Sequence, residues 1–251
     1  MAEVLTDIYD GVAVLTLDAA DRRNALTLPM VDEIAAALDA AEADPTVGAL
    51  VVTGTAPAFC AGADLSHLGS SQREGLLHIY EGFLRIGRSP LPSIAAVNGA
   101  AVGAGVNLAL VCDVIVAGAS ARFDTRFLQL GIHPGGGHTW MLQRRVGSQA
   151  AAAMVLFGRI LDGRAAADVG LAWECVADDE LLPTCRAMAA VAAAAPRDLV
   201  SRVRTTMHDV LAIDDHAAAV ERELDPQVWS INQPAFQEKL AAMQRRISSR
   251  G

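Results

Sequence analysis

The order of elements readable in this 251-residue chain predicts an α/β fold that ends in a helical region. Short apolar runs of strand length alternate with segments of helical periodicity. Two of those runs open directly into turns built almost wholly from Gly, Ala and other small residues. Beyond about residue 178 the strand signal fades, and Ala-rich helical segments follow, broken near Pro196 and between Asp225 and Pro234.

Taken in order, Val12–Leu17 (VAVLTL) reads as a strand, with Gly11 before it and Asp18 after. Thr27 reads as a helix N-cap, with Pro29 in the first turn and Val31, Ile34, Ala35 and Leu38 on one face. Residues 49–53 (ALVVT) form a continuous apolar run, hence a buried strand, and residues 54–64 form a loop rich in Gly, Ala and Pro. A helix is expected over much of 71–88, then a buried strand at Ser93–Val97 ending at Asn98-Gly99. Residues 103–111 read as a buried helix and 114–117 as another strand. Two regions are expected, a core over 1–190 and a helical region over 191–251.

Composition narrows the function. Apolar residues at 52% and charged residues at 20% describe a globular chain with a sizeable core. The net charge of −9 argues against nucleic acid or an anionic membrane as partner, though local arginines can still hold a phosphate. Cys60, Cys112, Cys175 and Cys185 form no C-x-x-C pair, which suits a reducing compartment. The N-terminal MAEVLTDIYDG carries acids where a secretory leader needs bases, and the apolar stretch at 99–111 is too short to span a bilayer. A cytoplasmic protein is expected.

The two small-residue turns are the segments most suited to chemistry. Residues 58–65 (AFCAGADL) follow the strand at 49–53, and residues 98–107 (NGAAVGAGVN) follow Ser93–Val97. A backbone with little side chain can approach a ligand closely and present its N–H groups. Either turn alone is more readily read as tight packing against a helix. Their context is more specific. RRNAL at 22–26, FCAGADL, SIAAVNGAAVGAGVNLALVCD, ARF, LGIHPGGG and the G-x-x-x-A spacing from Gly147 to Ala151 succeed one another. In order and spacing this series resembles the enoyl-CoA hydratase/isomerase (crotonase) family over residues 12–176.

That resemblance implies a crotonase-like spiral of ββα units with a helical C-terminal subdomain that assembles as a homotrimer or a dimer of trimers. The implied partner is an acyl-CoA thioester, with coenzyme A bound as part of the substrate and no permanent cofactor. Two backbone N–H groups in the family form an oxyanion hole for the thioester carbonyl, and the matching positions are Ala61 and Ala104. The coenzyme A contacts carry over to Arg22, Arg23, Ala25, Ala63, Asp64 and Leu65. For the two arginines a solvated pair is the other reading. The acyl pocket is expected to include Phe127, Gly135 and Trp140.

The departures are as informative as the matches. Family hydratases place two glutamates around a water, and their positions hold Asn107 and Phe127 here. Asn107 can orient a water but cannot take its proton. Gly135 stands where some family isomerases carry an aspartate. Candidate substitutes are few. Asp124 lies one turn before Phe127, as a base on a shared face or as the N-cap of a short helix. His133 and His138 bracket the PGGG loop, each as a base or as a ring hydrogen-bonded to that loop. No third ligand accompanies them, so no metal is expected. His67 and His78 fall in the region that lids the site in the family, and Cys60 reads as a buried, inert thiol. An acyl-CoA enzyme with altered acid–base residues is therefore one reading, and an acyl-CoA carrier or sensor that kept only the cradle is the other. A dinucleotide site at residues 103–105 lacks the remaining glycine and the acidic partner such a site needs.

Overall fold

A computed structural model describes residues 2–64 and 73–248. The chain divides into two compact units, Met1–Ala194 and Ala195–Gly251.

In the first unit the described strands form two sheets. One has the order β1 (Val4–Tyr9), β2 (Val12–Leu17), β3 (Ala49–Gly54), β5 (Ser93–Val97), β7 (Val114–Gly118), β10 (Glu174–Val176). The other has the order β4 (Ala58–Cys60), β6 (Ala100–Val102), β8 (Arg122–Asp124), β9 (Leu161–Asp162). Each turn of the chain leaves one strand in each sheet: β3 then β4, β5 then β6, β7 then β8. Helices separate the turns: α1 (Leu28–Ala43) before the first, α2 (Arg73–Gly87) after it, α3 (Ala104–Leu110) after the second and α4 (His138–Val155) after the third, with the short α5 (Gly163–Asp168) following β9. The fold is the spiral of ββα units that the resemblance implies. All pairings are parallel except β1 with β2 and β8 with β9.

Burial follows the pleat. Along β2, β3 and β5, Ala13, Leu15, Leu50, Val52, Ala95 and Val97 point into the main core with Met30, Ile34 and Leu38 of α1. Their neighbours Val12, Val14, Ala49, Val51, Ile94 and Ala96 meet Leu181, Cys185 and Ala189 of α6 (Leu181–Ala193) on the other face. Covered on both faces, these strands read as unbroken apolar runs rather than as alternation. Thr27 caps α1 by accepting from the Met30 N–H at 3.3 Å.

The structure adds strands where the sequence reads otherwise. The expected loop at 54–64 contains β4, and β6 precedes α3. Three-residue strands are too short to show a period. Edge strand β1 escapes notice because its apolar residues Val4, Leu5, Ile8 and Tyr9 follow no two-residue alternation, those after Val4 being exposed. The G-x-x-x-A segment is not one straight helix, since Gly147 sits at φ 76° and ψ 168° inside α4 and kinks it. In the second unit α7 (Arg197–Asp209), α8 (His216–Ile231) and α9 (Pro234–Ser248) are helical; the break expected between Asp225 and Pro234 falls at residues 232–233, and α8 runs through Pro226. Within that unit the Arg202 guanidinium stacks 4.1 Å from the Trp229 ring.

Candidate active site

Topology brings the two small-residue turns together. Strands β4 and β6 are parallel neighbours, with Cys60 in register with Ala101, so the segments leaving their carboxyl ends lie side by side. Gly105 of α3 packs so closely on β4 that a Cβ there would collide with the Cys60 carbonyl oxygen. On Gly62, at φ 101°, a Cβ would stand 3.7 Å from the Ala104 nitrogen, which fixes how near the two turns are.

A buried amide holds this arrangement. Asn24, fully buried and at φ 57°, accepts from the Ala19 N–H through Oδ1 and donates through Nδ2 to the carbonyls of Thr55 and Ala58, at 2.9 and 2.8 Å. The stretch RRNAL is thereby bonded to both ends of the β3–β4 connection. Asn24 was not among the residues expected to matter. Its signal is a small polar residue wedged between a basic pair and Ala-Leu.

The pattern of backbone bonds decides which N–H groups are available. The Ala61 N–H donates to the Arg23 carbonyl at 3.0 Å. That corrects the expectation for Ala61, because a donor committed inside the loop cannot also stabilise an oxyanion. Two residues on, Leu26 and Ala63 form a parallel bridge in which the Leu26 N–H reaches the Gly62 carbonyl and the Asp64 N–H reaches the Leu26 carbonyl. In that geometry the Ala63 N–H points away from Leu26, and it has no hydrogen-bond partner among the described residues. Ala104 opens α3 after Gly103, and its N–H likewise has no partner among the described residues, whereas the Val106 and Asn107 N–H groups both return to the Gly103 carbonyl. The N–H of Ala63 and not that of Ala61 is therefore the one left beside Ala104. No residue identity announces this, which is why sequence reading missed it.

Beyond the turns lie the side chains. Asn107 is buried and donates through Nδ2 to the Gly135 carbonyl at 2.9 Å, while its Oδ1 meets His138 Nδ1 at 2.6 Å. His138 is 1% exposed, and burial pushes its pKa down to about 4, so the ring is neutral. Phe127 packs edge-on against that ring with centroids 4.8 Å apart, and lies 3.8 Å from where a Cβ on Gly103 would stand. Arg145 of α4 donates to the carbonyls of Leu110, Cys112 and Asp113, tying the helix of His138 to the end of the helix of Asn107.

The remaining candidates are placed differently. Asp124 belongs to β8 and pairs with Arg126, so it caps no helix and is no free carboxylate. His133 is exposed, with Nδ1 2.7 Å from the Pro134 carbonyl oxygen. Trp140 is 55% exposed, with Arg144 stacked 3.9 Å from its ring. At Gly135 a Cβ would run into the Tyr80 hydroxyl, so the place of an isomerase aspartate is already filled. Arg22 pairs with Glu3, Arg23 is exposed, Ala25 is half-buried, and His78 contacts Asp32 on the surface. Leu65 and His67 lie outside the described residues. Burial raises the Cys60 thiol to about 12, which keeps it protonated. Among the described residues no cluster of three His, Cys, Asp or Glu could hold a metal, and no helix is long and apolar enough to cross a membrane.

Comparison with known proteins agrees with this architecture. A "probable enoyl-CoA hydratase" of Mycobacterium tuberculosis is 48% identical over 252 residues, covering 97% of this chain and 98% of its own. The 1,2-epoxyphenylacetyl-CoA isomerase of Escherichia coli is 35% identical over 197 residues, 75% of each chain. Among solved structures, an enoyl-CoA hydratase subunit from Geobacillus kaustophilus superposes with a TM-score of 0.90 at 27% identity, covering 97% of this chain and 95% of its own. The family model for enoyl-CoA hydratase/isomerase matches residues 7–247. With the ββα spiral and the paired turns at its strand ends, that match makes this chain a member of the enoyl-CoA hydratase/isomerase family.

Proposed function

We propose that this chain acts on acyl-CoA thioesters by holding the thioester carbonyl between the N–H groups of Ala63 and Ala104, and that its reaction is the hydration of trans-2-enoyl-CoA. One observation carries the reading: two backbone donors, unpartnered among the described residues, leave adjacent parallel strands side by side. Attack at Cβ of an enoyl thioester, or proton removal at Cα, drives charge onto the carbonyl oxygen. Fixed donors stabilise that charge without reorganising, and each is worth about 2.7–4 kcal/mol. Coenzyme A enters as part of the substrate. Its phosphates and adenine are met by exposed Arg23 with Arg22 and Ala25, the backbone of the turn at Ala63 and Asp64 meets the adenine and pantetheine, and Phe127 and Gly135 border the acyl chain. Assembly as trimers or pairs of trimers covers apolar side chains such as Met207, Leu211, Met243 and Ile247, all more than 60% exposed in the isolated chain.

A second reading is favoured by the state of the side chains: a carrier that binds acyl-CoA without turnover. Asn107 is held by Gly135 and His138, Phe127 cannot move a proton, and Asp124 is tied to Arg126. A panel of trans-2-enoyl-CoA thioesters separates the two readings through loss of the conjugated thioester chromophore. Turnover on any chain length supports the hydratase. Tight binding across the panel with no turnover would replace it by the carrier.

A further inference from the structure

The two ring nitrogens of His138 have different fates. The Gly135 carbonyl can only accept, so the Asn107 amide facing it must present its NH₂ group there. Its oxygen is thereby turned to His138 Nδ1, and an amide oxygen only accepts, so Nδ1 must carry the ring proton. This leaves Nε2 as a bare lone pair, buried and without a hydrogen-bond partner among the described residues. A buried acceptor left unpaired is destabilising, so its retention calls for an explanation. The ring lies against Phe127, which in turn lies beside Gly103, the residue preceding the Ala104 N–H. A tautomer-locked acceptor therefore sits one aromatic ring away from the backbone donors.

We propose that His138 Nε2 is the proton carrier of this enzyme, with Asn107 the positioning residue that holds its tautomer; the inference rests on the acyl-CoA reading above. In hydration the oxygen of water forms a bond to Cβ of the enoyl thioester while its proton passes to Nε2. The Cα–Cβ π pair moves into the thioester, leaving an enolate whose oxygen lies between the Ala63 and Ala104 N–H groups. The imidazolium then delivers its Nε2 proton to Cα as the carbonyl reforms, so one water is added and nothing is oxidised. Burial disfavours the imidazolium, and the enolate formed in the same step is the anion that offsets this. Asn107 and Phe127 then make sense together: the first orients the imidazole instead of a water, and the second gives it an apolar wall.

The test follows exchange of the Cα protons of butyryl-CoA in D₂O by mass spectrometry, hydration of crotonyl-CoA, and butyryl-CoA binding by calorimetry. Wild type is expected to bind, exchange and hydrate. His138→Gln is expected to bind comparably while exchange and hydration fall about 10²–10⁴-fold. Asn107→Leu is expected to lower kcat with KM unchanged. Wild-type binding without exchange or hydration would overturn the role of His138 and leave acyl-CoA binding standing, as would a His138→Gln variant that exchanges as fast as wild type. Absence of butyryl-CoA binding would instead remove the acyl-CoA reading itself, and this inference with it. Should His138→Gln not fold, Asn107→Leu decides, because an unchanged kcat there overturns the proposal.

Discussion

The two halves of the candidate site are built from different parts of the polypeptide. One half is backbone: the N–H groups of Ala63 and Ala104, placed by a parallel bridge and a helix start. The other half is side chain: Asn107, Phe127 and His138, placed by packing between α3 and α4. A backbone donor survives almost any substitution that spares its φ and ψ, whereas an acid–base group vanishes with one codon. The fold can therefore keep its carbonyl cradle while the proton-handling half is rebuilt, and the sharpest tests are those that damage one half and spare the other.

The largest effect is expected from deleting a backbone donor. Ala104 is the first residue of α3, a position where proline is tolerated because its missing N–H bonds nothing within the helix. Ala104→Pro should thus leave stability near wild type and lower kcat about 10²–10³-fold, read from enoyl-CoA hydration. Unchanged kcat would remove Ala104 from the site.

Next comes Asn24, where the two kinds of damage coincide. Removing its amide leaves the Ala19 N–H and the carbonyls of Thr55 and Ala58 buried without that partner, at about 1–3 kcal/mol for each group that finds no other. Asn24→Leu should lower the urea midpoint by an amount equivalent to several kcal/mol, and lower activity as well, since the same bonds set the turn carrying Ala63. A loss of activity at constant midpoint would show that Asn24 acts on substrate and not on the loop.

A pH effect of comparable size belongs to the side-chain half. The His138 pKa is lowered to about 4 in the folded chain from an ordinary 6.5. Above pH 6.5 both states are neutral there and no effect arises. Between 6.5 and 4 the unfolded chain takes up a proton that the folded chain refuses, so stability falls as pH falls. The full window is worth roughly 3 kcal/mol at about 1.36 kcal/mol per unit. Urea midpoints at pH 7 and pH 4.5 should differ less in His138→Gln than in wild type. Equal differences would mean that His138 is not buried neutral.

These cases also mark what the sequence could disclose. The α/β alternation was legible because β2, β3 and β5 are covered on both faces and must be apolar throughout, and Thr27 was legible because capping requires a side-chain oxygen. The turns after β4 and β6 stood out because close backbone approach demands small residues. Which N–H in the first turn is available depends on bridge phase, not on residue type, so Ala61 and Ala63 look alike until Leu26 is seen paired with Ala63. Asp124 and His138 look alike as titratable groups until one is found paired with Arg126 and the other buried against Asn107.

The smallest effect is expected at Trp140, and it sharpens the boundary of the side-chain half. The resemblance put this residue in the acyl pocket, but its ring is 55% exposed and stacked under Arg144, one turn further along α4. An exposed pairing of this kind contributes about 0.5–1 kcal/mol, so Trp140→Ala should shift the urea midpoint slightly. KM and kcat for short and long enoyl thioesters should stay within about twofold, because surface changes away from such features rarely exceed ±0.5 kcal/mol. His138, two residues earlier on the same helix, should behave oppositely, losing turnover and keeping binding. If Trp140→Ala raised KM selectively for long acyl chains, the acyl pocket would extend over the outer face of α4, and the division between a buried proton carrier and an exposed helix face would have to be redrawn.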